Sequence, residues 1–241
     1  MMLTDEERQV YGLDSSRLKE YQQQGRVFLL QAEALAAFQT LREDAAAAGF
    51  DLALVSSYRS FDRQLLIWNG KAGGQRPVLD ADGQPMVMTG LSDAQRLLAI
   101  LRWSAVPGLS RHHWGCDMDV YDAATMAAAD VQLVPAEVND GGPCAPLHDW
   151  LTERIQQNRS YGFFRPYSQG ACDVAEEKWH LSYLPLARHC QALIDPDRLA
   201  VLWQEKQLLL LAPLLEQRQW IYRHYACLDT TRLPDWVARY R

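Results

Sequence analysis

The stretch SRHHWGCDMD, residues 110–119, and the tetrapeptide EKWH, residues 177–180, decide how this chain is read. Together they offer His112, His113, Asp117, Asp119 and His180 as candidate ligands, with Glu177 beside the last imidazole. Three N/O ligands with one position left to water make a catalytic zinc site rather than a structural one. A nearby carboxylate that is not itself a ligand is what such a site needs to take a proton from that water. The pattern predicts a hydrolase.

Spacing does not say which of these groups bind. His112 and Asp119 are seven apart, and on a straight strand they would point to opposite faces, so the chain must turn between them. Gly115 sits where a turn meets no Cβ clash. Asp117 and Asp119 share strand parity, His113 competes with His112, and Glu176 competes with Glu177. On a helix, Glu177 and His180 would share a face; the neighbours Trp179, Leu181 and Tyr183 look more like a strand, with Glu177 at a bend before it. A histidine pair beside Trp114 is by itself more often a core or surface feature, and ExxH alone is weak. Their combination carries the reading. Arg59 follows the apolar run LALV, residues 52–55, and can present a fixed charged fork into a cleft, to polarise a carbonyl or stabilise an oxyanion. The plain alternative is a surface salt bridge with a carboxylate such as Asp62.

The chain has 241 residues, 48% hydrophobic and 22% charged, which is ordinary for a globular protein with a real core. A net charge of -6 argues against nucleic acid or an anionic membrane as partner. The longest apolar-rich run, residues 208–215, is too short to span a bilayer and contains Pro213. The first residues show no basic segment, apolar core or cleavage site of a signal peptide. The five cysteines are scattered, without a CxxC pair, so neither a disulfide framework nor a Cys-ligated zinc is expected. These features predict a cytoplasmic protein.

Residues 15–24 are polar and helix-compatible, and residues 27–30 form a short candidate strand. Residues 32–48 predict a helix with Leu35, Phe38 and Leu41 on one face, stopped by Gly49. A buried strand over 52–55 leads to a short helix over 61–69, capped by Ser60 or Asp62. Residues 70–90 are rich in turn formers and read as a rim or lid. A helix capped by Ser92 follows, then a strand over 118–121, an irregular region over 135–146, a helix over 147–157 and a strand over 180–183. After Pro185 the chain becomes a helical tail in which Pro213 demands a kink or break. Helices and short strands without βαβ regularity predict an α+β class with a small, mainly antiparallel sheet flanked by helices.

Three segments, Tyr58-Arg59-Ser60 with Gln64 following, residues 110–119 and residues 177–180, resemble in this order the M15 zinc peptidases of the D-alanyl-D-alanine carboxypeptidase type, which include the VanY and VanX peptidases. The pattern SxHxxG…D with ExWH is specific, and the resemblance covers roughly residues 25–185. It implies the small α+β domain shared with lysostaphin-type peptidases and the hedgehog signalling domain. It implies His112, Asp119 and His180 as ligands of one zinc ion, Glu177 as catalytic base and Arg59 as the carbonyl-polarising residue. Ser110 and Gln64 match positions that help hold a substrate's terminal carboxylate, with Tyr58 a further substrate-binding candidate. Two departures stand out: Asp117 replaces a small residue, where it could orient a ligand from behind, and His113-Trp114 gives the motif an HHWG form.

The expectation is therefore a peptidase domain over residues 1–190 with a helical extension over 191–241, packed on it or used for oligomerisation. Its substrates would be small peptides or muropeptides ending in D-Ala-D-Ala or in a tetrapeptide terminus, or free D-Ala-D-Ala. A lysin-like endopeptidase and a zinc-holding binding domain without catalysis are the competing readings. The base and the polarising arginine weigh against the second.

Overall fold

Thr4 opens the first helix by accepting from the Glu7 amide while the Glu7 carboxylate accepts from the Thr4 amide. In the computed structural model, which describes residues 2–168, 170–228 and 233–239, this helix α1 (Asp5–Val10) precedes a hairpin of β1 (Lys19–Gln23) and β2 (Arg26–Leu30). The hairpin corrects the helical reading of residues 15–24. Gln24 and Gly25 both take left-handed φ, 51° and 72°, the two-residue turn whose twist matches paired strands. Gln23 ties the hairpin to the next layer, donating to the Leu52 carbonyl and accepting from the Leu54 amide.

Helix α2 (Ala32–Ala47) buries Ala34, Phe38, Leu41 and Ala45 at helical spacing, with Leu35 only partly covered. Strand β3 (Leu52–Ser56) follows, and Ser60 rather than Asp62 caps α3 (Phe61–Ala72), accepting from the Arg63 amide. The rim expected after α3 has little regular structure beyond a Leu79–Pro85 bridge. Helix α4 (Asp93–Leu101) starts at the Ser92 cap. A 3-10 turn (Arg111–Trp114) then reverses at Gly115, φ 68°, into β4 (Asp117–Asp122). The remaining elements are α5 (Pro135–Val138), α6 (Ala145–Gln156), β5 (Phe163–Phe164), β6 (His180–Tyr183), α7 (Leu184–Ala192), α8 (Pro196–Glu205), α9 (Leu211–Ile221), a π-helical turn (Tyr222–Ala226) and α10 (Asp235–Arg239).

The main sheet runs β3-β4-β6-β5 with every pair antiparallel, so the class is α+β as expected. Central β4 is buried along its whole length. Its alternation sends Met118 and Val120 into the helical core and leaves Asp117 and Asp119 together on the other face.

Pro213 lies in the first turn of α9, where its missing N–H costs nothing, so the break falls between α8 and α9. The tail shares the main core: Leu199, Trp203, Leu214 and Ile221 pack in one cluster with Phe61, Trp68 and Leu97. Trp203 donates to the Pro107 carbonyl at 2.7 Å, and Trp68 to the Leu209 carbonyl at 2.9 Å. Leu199 covers Gly108, where a Cβ would collide with it. Helix α8 thereby clamps the chain just before residues 110–119. No helix among the described residues is long and apolar enough to cross a membrane.

Two further buried histidines, His113 and His148, are held neutral by the fold. Burial lowers both His113 and His148 to about 3. Each stays neutral in the folded chain while the unfolded chain takes up its proton near the ordinary value, so stability falls as pH drops from about 6.5 towards 3. In urea unfolding, the loss between pH 7 and 4.5 should shrink in His148→Gln by an amount on the order of 2 kcal/mol. An unchanged pH difference would contradict the neutral assignment.

Candidate metal centre and cleft

Strand register brings the principal groups into one row. Asp119 lies opposite Ser56 on β3 and opposite His180 on β6. His112 arrives from the 3-10 turn, and its backbone and ring are both fixed by the segment after β3. The Arg59 amide donates to the His112 carbonyl at 3.0 Å, and His112 Nδ1 lies 2.9 Å from the Ser57 carbonyl. His112, Asp119 and His180 are all buried, and each offers a ligand atom within 4.8 Å of the others.

Their hydrogen bonds settle which atoms are free. A carbonyl can only accept, so His112 Nδ1 carries the proton and Nε2 turns its lone pair toward Asp119 Oδ2, 3.3 Å away. His180 Nε2 lies 2.9 Å from Asp117 Oδ2, which leaves Nδ1 facing Asp119 Oδ1 at 3.2 Å. Those last two atoms are buried and have no hydrogen-bond partner. Orphaned polar atoms of this kind are rare in a folded interior, and here they fit the demand for a bound cation. Against the cost of burial, Asp117 and Asp119 hold the His180 imidazolium up to about 9. The same place attracts positive charge as a proton.

Asp117 stands behind this cluster. It is fully buried, accepts from Arg111 Nε at 2.8 Å and from Ser182 Oγ at 2.9 Å, and contacts the ring nitrogen of His180 that faces away from Asp119. Arg111 in turn stacks over Trp114 at 4.4 Å. Strand parity left Asp117 and Asp119 equivalent, and the structure shows why: they share a face, with His180 reaching one through each nitrogen. His113 points elsewhere, stacked on Phe61, with Nδ1 against the Arg59 carbonyl at 2.5 Å and Nε2 accepting from the Gly108 amide at 3.0 Å.

Glu177 sits on a turn entering β6. Its amide donates to the Tyr167 carbonyl and its carbonyl accepts from the His180 amide. Arg165 braces this turn, donating to the Lys178 carbonyl at 2.8 Å and to the His148 carbonyl at 2.9 Å. Glu177 Oε2 lies 3.6 Å from His180 Nδ1, and burial pushes its carboxyl up to about 8. Trp179 stacks on Trp103, whose ring nitrogen donates to the Asp80 carbonyl, so the motif's tryptophan helps hold the rim after α3.

One cleft brings together Arg59, Ser110, His112, Asp119, Glu177 and His180. Two of the other predicted site residues lie outside its lining. Gln64 is fully buried behind Arg59, accepting from the guanidinium at 2.9 Å and donating to the Ala105 carbonyl at 2.7 Å. Tyr58 donates its hydroxyl to the Gly12 carbonyl at 3.1 Å. The cleft also contains residues that sequence reasoning missed, Lys71, Trp103, Ser104 and Tyr167. Tyr167 packs edge-on against His180 at 4.8 Å. A lone lysine at a helix end and a tyrosine in an irregular segment carry no pattern that would have found them.

An α+β domain whose cleft gathers converging imidazole and carboxylate groups, a protonatable carboxyl and a guanidinium holds the parts of a hydrolase acting on a carbonyl. The chain belongs to the VanY D-alanyl-D-alanine carboxypeptidase family, whose model matches residues 27–186. Over 77 residues it is 49% identical to an uncharacterised protein of Haemophilus influenzae, covering 32% of this chain and 53% of that one. Over 160 residues it is 26% identical to the putative carboxypeptidase YodJ of Bacillus subtilis, covering 64% and 46%. The chain thus spans about half the length of these two relatives. Among solved structures, a mutant of the vancomycin resistance D,D-pentapeptidase VanY in complex with Zn(II) is similar, with a TM-score of 0.48, 20% identity, and coverage of 87% of this chain and 86% of that one.

Proposed function

We propose that this protein is a zinc carboxypeptidase that removes D-alanine from peptidoglycan-derived peptides with D-Ala-D-Ala or tetrapeptide termini. One observation carries the reading: His112, Asp119 and His180 converge with two buried ligand atoms unpartnered, beside a Glu177 that need not ligate. His112 through Nε2, His180 through Nδ1 and the Asp119 carboxylate would hold one ion. Such an ion supplies Lewis acidity for the scissile carbonyl and acidifies a water.

The remaining chemistry falls to the chain's own groups. Glu177 takes the proton of the attacking water and passes it to the leaving amine, a double task suited to a carboxyl with a raised pKa. Arg59 stabilises charge developing on the carbonyl oxygen. Gln64 acts from behind by orienting Arg59, which departs from the substrate contact that the family resemblance implies for it. The buried base and guanidinium in one cleft support an enzyme over a zinc-holding binding module, which needs neither.

Asp117 would fix the tautomer of His180 and raise its basicity as a ligand, the role outer carboxylates play for ligating histidines. Asp117→Ala should weaken zinc binding about 10- to 100-fold in competition with a chromophoric chelator. Because this leaves the Arg111 charge buried and unpaired, the double variant Arg111→Met/Asp117→Ala is the control and should show the same loss. Wild-type affinity in both would remove that role.

The reading as a whole is tested by incubating zinc-loaded protein with tri-, tetra- and pentapeptide muropeptides and weighing the products. Loss of one terminal alanine from the pentapeptide or the tetrapeptide is expected. Release of nothing from any of them would sink it.

A further inference from the structure

The cleft wall formed by α3 and the segment after α4 carries a cation for which the chemistry above has no use. Lys71 is in the last turn of α3, seven residues after Gln64 and so on the same helical face. Its ammonium reaches the cleft and donates to Ser104 Oγ at 2.6 Å. Among the described residues no carboxylate is within ion-pair distance of it. Burial and the neighbouring Arg59 lower it to about 8, against an opposing pull from the more distant Glu177 carboxylate.

The charge of the whole cleft makes the same demand. Its lining contains Arg59 and Lys71 as cations and Asp119 and Glu177 as carboxylates. A divalent ion at the His112, Asp119 and His180 donors would leave an excess of positive charge, which an anion entering with the substrate would balance. Gln64 has no free amide end to offer such an anion. Ser110 lines the same cleft, and Leu79 and Trp103 add apolar surface to its walls.

We propose that Lys71, held by Ser104 and aided by Ser110, forms the subsite for the C-terminal carboxylate of the peptide substrate. This inference rests on the peptidase reading and narrows it. A chain continuing past the leaving residue would place a neutral amide against the ammonium, so the subsite selects terminal residues over internal bonds.

The test uses N-acetyl-D-alanine and its C-terminal amide as probes, titrated calorimetrically into the zinc-loaded full chain. Alanine release from D-Ala-terminated peptide acids and amides is measured in parallel. The acid should bind at least about 10-fold more tightly than the amide. Lys71→Met should weaken acid binding about 10- to 100-fold, leave amide binding unchanged, and raise KM for the peptide acid far more than it lowers kcat. Lys71→Arg should recover part of the acid affinity. Ser104→Ala, which frees the ammonium without removing its charge, should lose less than Lys71→Met and guards against a folding defect in the latter. Equal acid binding by wild type and Lys71→Met overturns the subsite. Lys71-dependent acid binding with no alanine released keeps the subsite and removes the peptidase reading. Alanine release with an unchanged KM in Lys71→Met does the reverse.

Discussion

Glu177→Gln is expected to bind zinc with wild-type stoichiometry while losing about 10²- to 10⁴-fold in kcat. Glutamine fills the same space, and the backbone turn through the Tyr167 carbonyl and the His180 amide does not depend on the side chain's charge. The carboxyl is buried, with Oε2 3.6 Å from His180 Nδ1, and burial favours its neutral form, so removing its charge should not weaken the fold. What glutamine cannot do is take up a proton. Elemental analysis and steady-state kinetics on the same preparation separate the two roles. Near-wild-type turnover in the zinc-loaded variant would rule out a base, and loss of zinc would make Glu177 a ligand.

The second large effect is expected from His180→Ala, which should lose the metal and much of the local stability together. The ring touches both buried carboxylates, Asp117 through Nε2 and Asp119 through Nδ1. Without it and without metal, Asp119 faces its neighbours with no cation on that side, and breaking a buried charge arrangement costs about 3–5 kcal/mol. Zinc per chain should fall to background, and the melting temperature should drop in the metal-free protein as well. In the wild type, zinc must displace the proton that the two carboxylates hold on His180 up to about 9. Zinc affinity should therefore rise with pH across the neutral range. Equal zinc content in His180→Ala would sink the ligand assignment.

The candidate site was legible in sequence because its parts lie on short segments with side chains of few possible uses. What remained closed to sequence was the choice between groups of equal parity. Asp117 and Asp119 occupy one face of β4, and the pairing of Asp119 with His180, together with the orphaned atoms between them, distinguishes them. Gln64 was recognisable as a neighbour of Arg59, but the direction of its amide depends on where α3 meets the Ala105 carbonyl. Lys71 carries no local pattern next to a turn-rich stretch; its partner Ser104 lies thirty-three residues away.

The fold divides along similar lines. The strong helix formers of α2 and the caps at Ser60 and Ser92 act locally, so those elements were readable. Strand β1 was not, because its buried position is taken by a glutamine that satisfies the backbone of β3 instead of by an apolar residue. The local clue was the Gln24-Gly25 pair between two short segments. The tail's helical character was plain from composition, whereas its clamp on residues 107–108 is a long-range contact with no local signature.

Anomalous diffraction at the zinc edge from zinc-soaked crystals is the sharpest check on the proposed ligands. One strong peak is expected, bonded at about 2.0–2.2 Å to His112 Nε2, His180 Nδ1 and an Asp119 oxygen, with Glu177 unbonded beside it. A peak on Asp117 or Glu177, or no peak while those three residues still face one another, would contradict it.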